Sequence, residues 1–259
     1  MHNQNKISLM AHLVAGYPTQ NLALKVADAL IEGGASYLEI QLPFSDPSAD
    51  GPVIQTACAK RLELGYSTQE GVDFIKKIHE KHPETPIFLM SYASLVYTPG
   101  IENFVTMFKE VGVKGFIIPD LPFDNDEGMR AACEKEGMTF VPVAAPSMSV
   151  DRIEKLLSYD FEFIYAALRA GITGSKTTIE KETLQFLNYF SKSPSKILGG
   201  FGIQNAEQAF QLKDFVHSIV AGSVFVKKII QEYEKNPQDA EDKIVNATRE
   251  KAKELSHTH

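Results

Sequence analysis

The sequence has 259 residues, of which 44% are hydrophobic and 23% are charged, proportions typical of a globular protein with a large core. Its formal net charge of −7 argues against a general nucleic-acid binder, because such proteins neutralise phosphates with Lys and Arg. No apolar run approaches the roughly 20 residues of a membrane span, and no secretory signal begins the chain, so we expect a cytoplasmic protein. Cys58 and Cys133 lack metal-ligand spacing; we interpret both as reduced thiols and expect no metal site.

Short apolar runs of β-forming residues alternate with longer segments in which apolar residues recur every three or four positions. The short runs predict strands at 7–15, 36–42, 86–92, 114–120, 138–144, 161–168, 196–200 and 216–222. The longer segments predict helices at 21–34, 68–82, 101–112, 125–137, 150–159, 182–192, 206–214 and 223–235. Several of these segments close with glycine, as helix C-termini do.

A strand followed by a helix eight times, without a linker between them, predicts the α/β class and a (β/α)8 TIM barrel. We expect residues 1–259 to form a single barrel domain, and the last charged stretch to add an amphipathic helix around 237–254. A doubly wound open sheet is the alternative, and the count of eight strands disfavours it.

The functional residues of such a barrel lie on the loops that follow the strands. Side chains suited to chemistry stand at or after several predicted strand ends: Glu39, Tyr92, Asp120, Arg169 and Thr173. Glycines follow the last two strands in "GGFG" (199–202) and "AGS" (221–223), the second at a helix N-terminus. Each cluster alone could serve a tight turn, but the pair matches the phosphate site that recurs in barrels, and Gly174 could add a third donor.

Three carboxylates lie within the stretch "YLEIQLPFSDPSADGPV" (37–53). By strand alternation Glu39 points into the barrel mouth, where a buried carboxyl could give and take a proton; pairing with a buried cation is the alternative. Asp46 and Asp50 follow in a loop that three prolines stiffen, which lowers the entropic cost of holding them. Each Asp alone is typical of a turn, but their grouping with Glu39 favours catalysis.

The string "LEIQLPFSDPSADGPVIQ" resembles the loop that follows strand 2 in the tryptophan synthase α subunit family. Further motifs occur in the family's order and spacing over nearly the whole chain: "VAGYP", "SYASLVY", "PDLP", "LRAGITG", "GGFGI" and "VAGSVFVK". The loop string is highly specific, whereas many phosphate-binding barrels share the glycine clusters.

The resemblance implies a retro-aldol cleavage of indole-3-glycerol phosphate to indole and glyceraldehyde 3-phosphate, without a metal or cofactor in this chain. It implies that Glu39 handles the protons and that Asp50 holds the indole N–H, with Thr173 contacting Asp50 when its loop closes. Tyr92 and Tyr165 would line the indole pocket. The phosphate would be bound by Gly174, Gly200, Gly202, Gly222 and Ser223. The implied partner is a β subunit that carries pyridoxal phosphate, in an α2β2 heterotetramer.

Two residues of the expected substrate pocket depart from the family pattern. Gln41 stands where glycine is usual, so it could hydrogen-bond Glu39, crowd the pocket or contact a different substrate. His12 stands where an apolar or aromatic contact with indole is usual; it is a hydrogen-bonded histidine of the barrel mouth or a new proton-transfer group. Two further functions therefore stay open: a stand-alone lyase for a related phosphorylated substrate, and a non-catalytic partner that activates a β subunit.

Overall fold

Parallel strands form one nearly closed barrel in the computed structural model, which describes residues 7–168, 179, 181–200 and 202–256. Within these residues the strands are β1 (Ser8–Val14), β2 (Tyr37–Gln41), β3 (Ile87–Met90), β4 (Val113–Ile117), β5 (Thr139–Val141), β6 (Val143–Ala144), β7 (Phe163–Ala167), β8 (Lys196–Gly200) and β9 (Ser218–Ala221). Their order in the sheet is β5-β4-β3-β2-β1-β9-β8-β7-β6. The predicted TIM barrel is confirmed.

The fifth predicted strand is divided in two at Pro142. A proline has no N–H to donate to a strand ladder, and here its carbonyl instead accepts a 2.9 Å hydrogen bond from the Tyr165 amide. The piece before it, β5, pairs with β4, and the piece after it, β6, pairs with β7. One segment of chain therefore joins the two ends of the sheet order, which is why eight predicted strands appear as nine among the described residues.

The strand ladders differ in length around the barrel. β7 pairs with β8 along its whole length, from Phe163 opposite Lys196 to Ala167 opposite Gly200. On one side of this pair, the described residues of β6 and β7 meet at Val143–Tyr165 and Ala144–Ala166. On the other side, β8 meets β9 at Leu198–Ser218 and Gly199–Ile219.

Helices of the described residues cover the outside of the barrel. They are α1 (Gln20–Glu32), α2 (Pro52–Glu63), α3 (Thr68–Lys81), α4 (Ala93–Tyr97), α5 (Ile101–Lys109), α6 (Met129–Lys135), α7 (Val150–Leu157), α8 (Lys181–Asn188), α9 (Ala206–Leu212), α10 (Ser223–Lys235) and α11 (Glu241–Ser256). α11 occupies the region where the sequence predicts an extra helix around 237–254. No helix in the described part of the chain is both long and apolar enough to span a membrane.

Two helices in the described ranges, α2 and α4, are not predicted by apolar periodicity. α2 begins at Pro52 after Gly51, and its buried face includes the charged Arg61 beside Cys58, so its apolar stripe is weak. α4 has five residues, which is too short for a period to show. Both follow strand ends, and both therefore border the mouth of the barrel.

The inward side chains form a core of their own, separate from the core between sheet and helices. At the N-terminal end of the barrel, Phe88 and Phe163 meet edge to face with ring centroids 5.1 Å apart, and Tyr37 packs against both. Burying each phenylalanine contributes about 1.5–3 kcal/mol to stability. Because these rings close that end, the open space of the barrel lies at the C-terminal ends of the strands.

Candidate active site

A pocket of about 540 Å³, including its open mouth, lies at the C-terminal ends of the strands. Polar groups and apolar side chains share its wall: His12, Glu39, Asp50, Ile54, Met90, Ile117, Pro119, Val143, Tyr165, Gly202, Val220, Gly222 and Ser223. Its apolar residues were not singled out from the sequence, although inward alternation along β3, β4 and β9 could have identified Met90, Ile117 and Val220. The wall suits a flat apolar group with a few polar atoms.

Glu39 and His12 form a buried pair on one side of this pocket. They are opposite each other in the parallel register of β1 and β2, and His12 Nδ1 lies 2.7 Å from Glu39 Oε2. Only 4% of Glu39 and 6% of His12 is exposed. The prediction that Glu39 points into the barrel is confirmed, and its buried partner is a histidine rather than Lys or Arg.

The Glu39 contact also shifts the pKa of His12. Burial alone would lower the pKa of His12, but the hydrogen bond and charge of Glu39, together with the charge of Asp50, raise it above its ordinary value. The other ring nitrogen, Nε2, is buried and has no hydrogen-bond partner among the described residues. Gly222 makes room for the ring, since a Cβ at that position would lie 2.9 Å from His12 Cγ.

Asp50 faces Glu39 and His12 from the loop between β2 and α2, where two side chains hold its carboxylate. Oδ2 accepts hydrogen bonds from Gln41 Nε2 and from the Tyr92 hydroxyl, both at 2.7 Å. Burial raises the pKa of Asp50, although the charge of His12 and the Tyr92 and Gln41 hydrogen bonds act in the opposite direction. The site therefore presents two buried carboxyls, each with its own donors.

Gln41 is fully buried behind Asp50, away from the pocket wall. The sequence allowed a hydrogen bond to Glu39, but the structure gives the amide to Asp50 instead, because Gln41 lies at the end of β2 next to the returning loop. Its Nε2 also lies 3.6 Å from Cys58 Sγ, and its Oε1 has no partner among the described residues. The Gln41 side chain thus contacts Asp50 and does not border the pocket.

Tyr92 is likewise a supporting residue behind Asp50. It is 1% exposed, its ring stacks on Phe44 at 5.1 Å, and its hydroxyl accepts the Ala49 N–H at 3.2 Å. Burial, followed by the charge of Asp50, raises the pKa of the Tyr92 hydroxyl, which therefore remains a donor. The aromatic residue that lines the pocket directly is Tyr165, on β7.

Gly200 has a structural reason for being glycine that the sequence does not reveal. A Cβ there would lie 2.0 Å from the Tyr165 hydroxyl, so the absent side chain gives Tyr165 its place in the pocket. Gly200 does not itself border the pocket. Burial raises the pKa of Tyr165 well above its ordinary value, and the charges of Glu39 and Asp50 act in the same direction.

Gly202, Gly222 and Ser223 come together at one end of the pocket, where α10 begins. The first amides of a helix have no partner within it, and the helix dipole places partial positive charge there. Gly202 has φ of +99°, a conformation that favours glycine. This corner can bind an anion. Thr173 and Gly174 were predicted to contribute to the site and lie outside the described residues, as does Arg169.

The remaining carboxylates singled out from the sequence are not in the pocket. Asp46 is exposed and accepts a hydrogen bond from Ser45 Oγ at 2.5 Å. Asp120 accepts the Ala93 N–H at 3.0 Å and so caps the start of α4. Among the described residues, no group of three or more His, Cys, Asp or Glu is placed to hold a metal ion.

Over residues 1–256 the chain matches the family described as tryptophan synthase alpha chain. It is 40% identical over 249 residues to the tryptophan synthase alpha chain of Helicobacter hepaticus, covering 92% of this chain and 93% of that one. Identity to the corresponding chain of Leptospira borgpetersenii serovar Hardjo-bovis is 35% over 235 residues, covering 89% and 88%.

Solved structures share the fold. A chain of the tryptophan synthase α2β2 complex from Pyrococcus furiosus has a TM-score of 0.84 and 29% identity, covering 97% of this chain and 98% of that chain. A chain of tryptophan synthase from M. tuberculosis has a TM-score of 0.82 and covers 98% and 94%. At 23% identity, the second likeness concerns the fold alone.

Proposed function

The chain belongs to the tryptophan synthase alpha chain family, and from this premise we propose which of its residues carry the reaction. As the α subunit in tryptophan biosynthesis, it cleaves indole-3-glycerol phosphate, a carbon–carbon lyase reaction that yields indole and glyceraldehyde 3-phosphate. The resemblance identified in the sequence is thus confirmed. The subunit has no cofactor of its own; its β partner carries pyridoxal phosphate in the α2β2 assembly.

The cleavage needs two proton movements around one bond scission. A proton adds to indole C3, which turns the ring into a good electron acceptor. The hydroxyl on the neighbouring side-chain carbon then loses its proton, and the bond between that carbon and C3 breaks. The electron pair of the broken bond returns to the ring, and the hydroxyl oxygen becomes the carbonyl oxygen of the aldehyde product. The enzyme has given one proton and taken one, so its number of protons is unchanged.

Glu39 is the residue that we assign to these protons. It is buried at the pocket wall, it has a hydrogen-bonded partner, and the apolar side chains beside it, Met90 and Ile117, suit the flat indole ring. A positioned carboxyl of this kind can act first as acid and then as base. His12 and Tyr165 are assigned to the substrate pocket alongside it.

Asp50 is assigned to the indole N–H, whose acidity rises when C3 is protonated. A carboxylate near that atom stabilises the positive charge that develops on the ring. Tyr92 and Gln41 serve the substrate indirectly, because their hydrogen bonds orient Asp50. Thr173 is proposed to contact Asp50 from its own loop.

The phosphate is assigned to the start of α10. Gly202, Gly222 and Ser223 border the pocket there, and their backbone amides with the helix dipole favour a dianion. Gly174 is proposed to add a further amide to this anion site, whereas Gly200, which does not border the pocket, is assigned the separate role of making room for Tyr165. Because the substrate is a phosphate ester that does not cross a membrane unaided, we place the reaction in the cytoplasm.

One observation carries the residue assignment: two buried carboxyls, Glu39 and Asp50, border one apolar pocket that ends at a helix N-terminus. The test is Glu39→Gln, which keeps side-chain size and removes the proton-transfer group. We expect turnover to fall by about 10²-fold or more, with substrate binding largely kept. Asp46→Asn is the matched control, an exposed carboxylate of the same loop, and should leave indole release unchanged.

Near wild-type turnover in Glu39→Gln would refute the assignment. The same assay addresses the two other functions considered above. A non-catalytic activating partner would release no indole with or without a β subunit, and the intact carboxyl pair argues against that role. A lyase for a related phosphorylated substrate would require Gln41 or His12 to contact the part that differs, and Gln41 lies behind Asp50.

A further inference from the structure

The hydrogen bonding of His12 suits a residue that takes part in proton transfer, and not one that only lines the pocket. Its Nδ1 is 2.7 Å from Glu39 Oε2, while its Nε2 is buried with no hydrogen-bond partner among the described residues. A buried imidazole nitrogen without a partner is costly, so an apolar ring would be the more stable occupant of a merely structural position. His12 also borders the pocket, so its ring lies beside the space that the substrate would occupy.

We propose that His12 and Glu39 act as an acid–base pair that shares one proton, and that both members exchange protons with the substrate. The proposal rests on the function assigned above and adds a second proton-transfer group to it. In the first step the pair donates its proton to indole C3. In the second step the pair, now without that proton, removes one from the side-chain hydroxyl as the carbon–carbon bond breaks.

The proton count closes over the two steps. The pair begins with one proton, gives it to C3 and regains one from the hydroxyl, so no outside acid or base is consumed. Two groups have an advantage over one carboxyl here, because C3 and the hydroxyl oxygen are different atoms in different directions. The proton can leave from one member and arrive at the other, with the 2.7 Å hydrogen bond passing it between them.

The surroundings of His12 favour keeping that proton. The titratable groups that share the pocket in the described residues are Glu39 from β2, Asp50 from the loop after β2 and Tyr165 from β7. The two acidic groups both act to raise the pKa of His12, and the raised pKa of Tyr165 leaves its hydroxyl neutral. Gly222 also packs against His12, and because it has no side chain it adds no titratable group and leaves the space in which the ring fits.

The sign of the pH dependence follows from this charge balance. The pair must hold one proton to begin the reaction, so activity is lost as pH rises and that proton leaves. Because Glu39 supports protonated His12, the loss comes at higher pH than for an unassisted histidine. A His12 that only packs against the substrate would affect KM and leave this alkaline limb where it is.

The test is His12→Gln, with His217→Gln as the matched control. His217 is exposed at the opposite end of the barrel, where its Nε2 lies 3.0 Å from the Tyr37 hydroxyl. In His12→Gln we expect kcat to fall by about 10- to 10²-fold, because Glu39 remains, with KM within a few-fold and the alkaline limb of kcat displaced. His217→Gln should retain both the rate and the pH profile.

A wild-type kcat and pH profile in His12→Gln would overturn the proposal, and so would a loss confined to KM. If that variant does not fold, NMR titration of the His12 ring in the intact protein decides instead. Glu39→Gln should then lower the pH at which His12 titrates, and an unchanged titration overturns the proposal. Activity of Glu39→Gln separates the two ideas: if this variant keeps turnover, the assignment of Glu39 proposed above fails, whereas if only the His12 results are negative, the pair alone fails.

Discussion

Removing the hydroxyl of Tyr92 is the smallest change that weakens the hold on Asp50. Tyr92→Phe keeps the ring that stacks on Phe44 and deletes the 2.7 Å hydrogen bond to Oδ2. It also removes the acceptor of the Ala49 N–H. Since the ring is 1% exposed, bulk solvent cannot simply replace the lost donor. Asp50 then relies on Gln41 alone among its described side-chain donors.

The size of the effect follows from the value of one charge-assisted hydrogen bond. Such a bond contributes about 1.5–3 kcal/mol, or roughly 10- to 150-fold in the ratio of ionised to neutral Asp50 at a given pH. The bond favours the carboxylate, so its loss adds to the burial that already raises the pKa of Asp50. We therefore expect the acid limb of kcat/KM to move to higher pH, with a far smaller loss on the alkaline side.

The assay is indole release from indole-3-glycerol phosphate across the pH range, for wild type, Tyr92→Phe, Asp50→Asn and the double variant. If Tyr92 acts through Asp50, its substitution should cost little once Asp50 is an amide, because the charge that it stabilises is gone. Phe44→Leu, which removes the stacked ring but not the hydrogen bond, separates packing from the donor.

An acid limb that stays at its wild-type pH in Tyr92→Phe would refute this reasoning. The same holds if Tyr92→Phe impairs the Asp50→Asn background as much as the wild type, since Tyr92 would then act on the substrate or on the fold by a route that does not involve Asp50.

Three further predictions concern the same pocket. Asp50→Asn should be severely impaired in turnover. As pH rises from 4 to 7, thermal unfolding should show a smaller loss of stability for this variant than for the wild type, because a carboxyl with a raised folded-state pKa stabilises the fold at low pH and loses that contribution as it ionises. Ser223→Asp should weaken binding of glycerol phosphate while keeping or slightly raising stability, since a carboxylate suits the start of α10 but repels the phosphate; Ser223→Ala, which keeps the backbone amide, should bind normally. Gln41→Leu should lower kcat/KM several-fold through Asp50 and leave stability unchanged or higher, because the buried, unpartnered Oε1 is removed; a rise in kcat/KM would indicate that Gln41 instead crowds the substrate.

Strand alternation was sufficient to place Glu39 inside the barrel, because period-two patterning decides which face of a strand is buried. It could not identify the partner of Gln41. That partner comes from the loop after β2, and the path of a loop depends on contacts such as Gln55 Nε2 to the Asp50 carbonyl at 2.9 Å, which no periodicity records.

The structural roles of the glycines were the hardest to predict from the sequence. A missing side chain looks the same in the sequence whether it admits a phosphate or a neighbouring ring. Gly200 accommodates the Tyr165 hydroxyl and Gly222 the His12 ring, and both relations link residues far apart in the chain. Pro142 is similar: its effect on the ladder was foreseeable, but its place at the closure of the barrel was not.

The uneven ladders around the barrel have a mechanical consequence. β7 and β8 are joined along their full length, whereas each is attached to its outer neighbour by a short seam, at β6 on one side and β9 on the other. We therefore expect the β7–β8 pair to move as a unit, because its two edges should open at less cost than its middle. Tyr165 and Gly200 lie on these two strands and pack against each other, so such a motion should change the width of the indole pocket while keeping their contact. Amide hydrogens at the two seams should exchange with solvent sooner than those between β7 and β8.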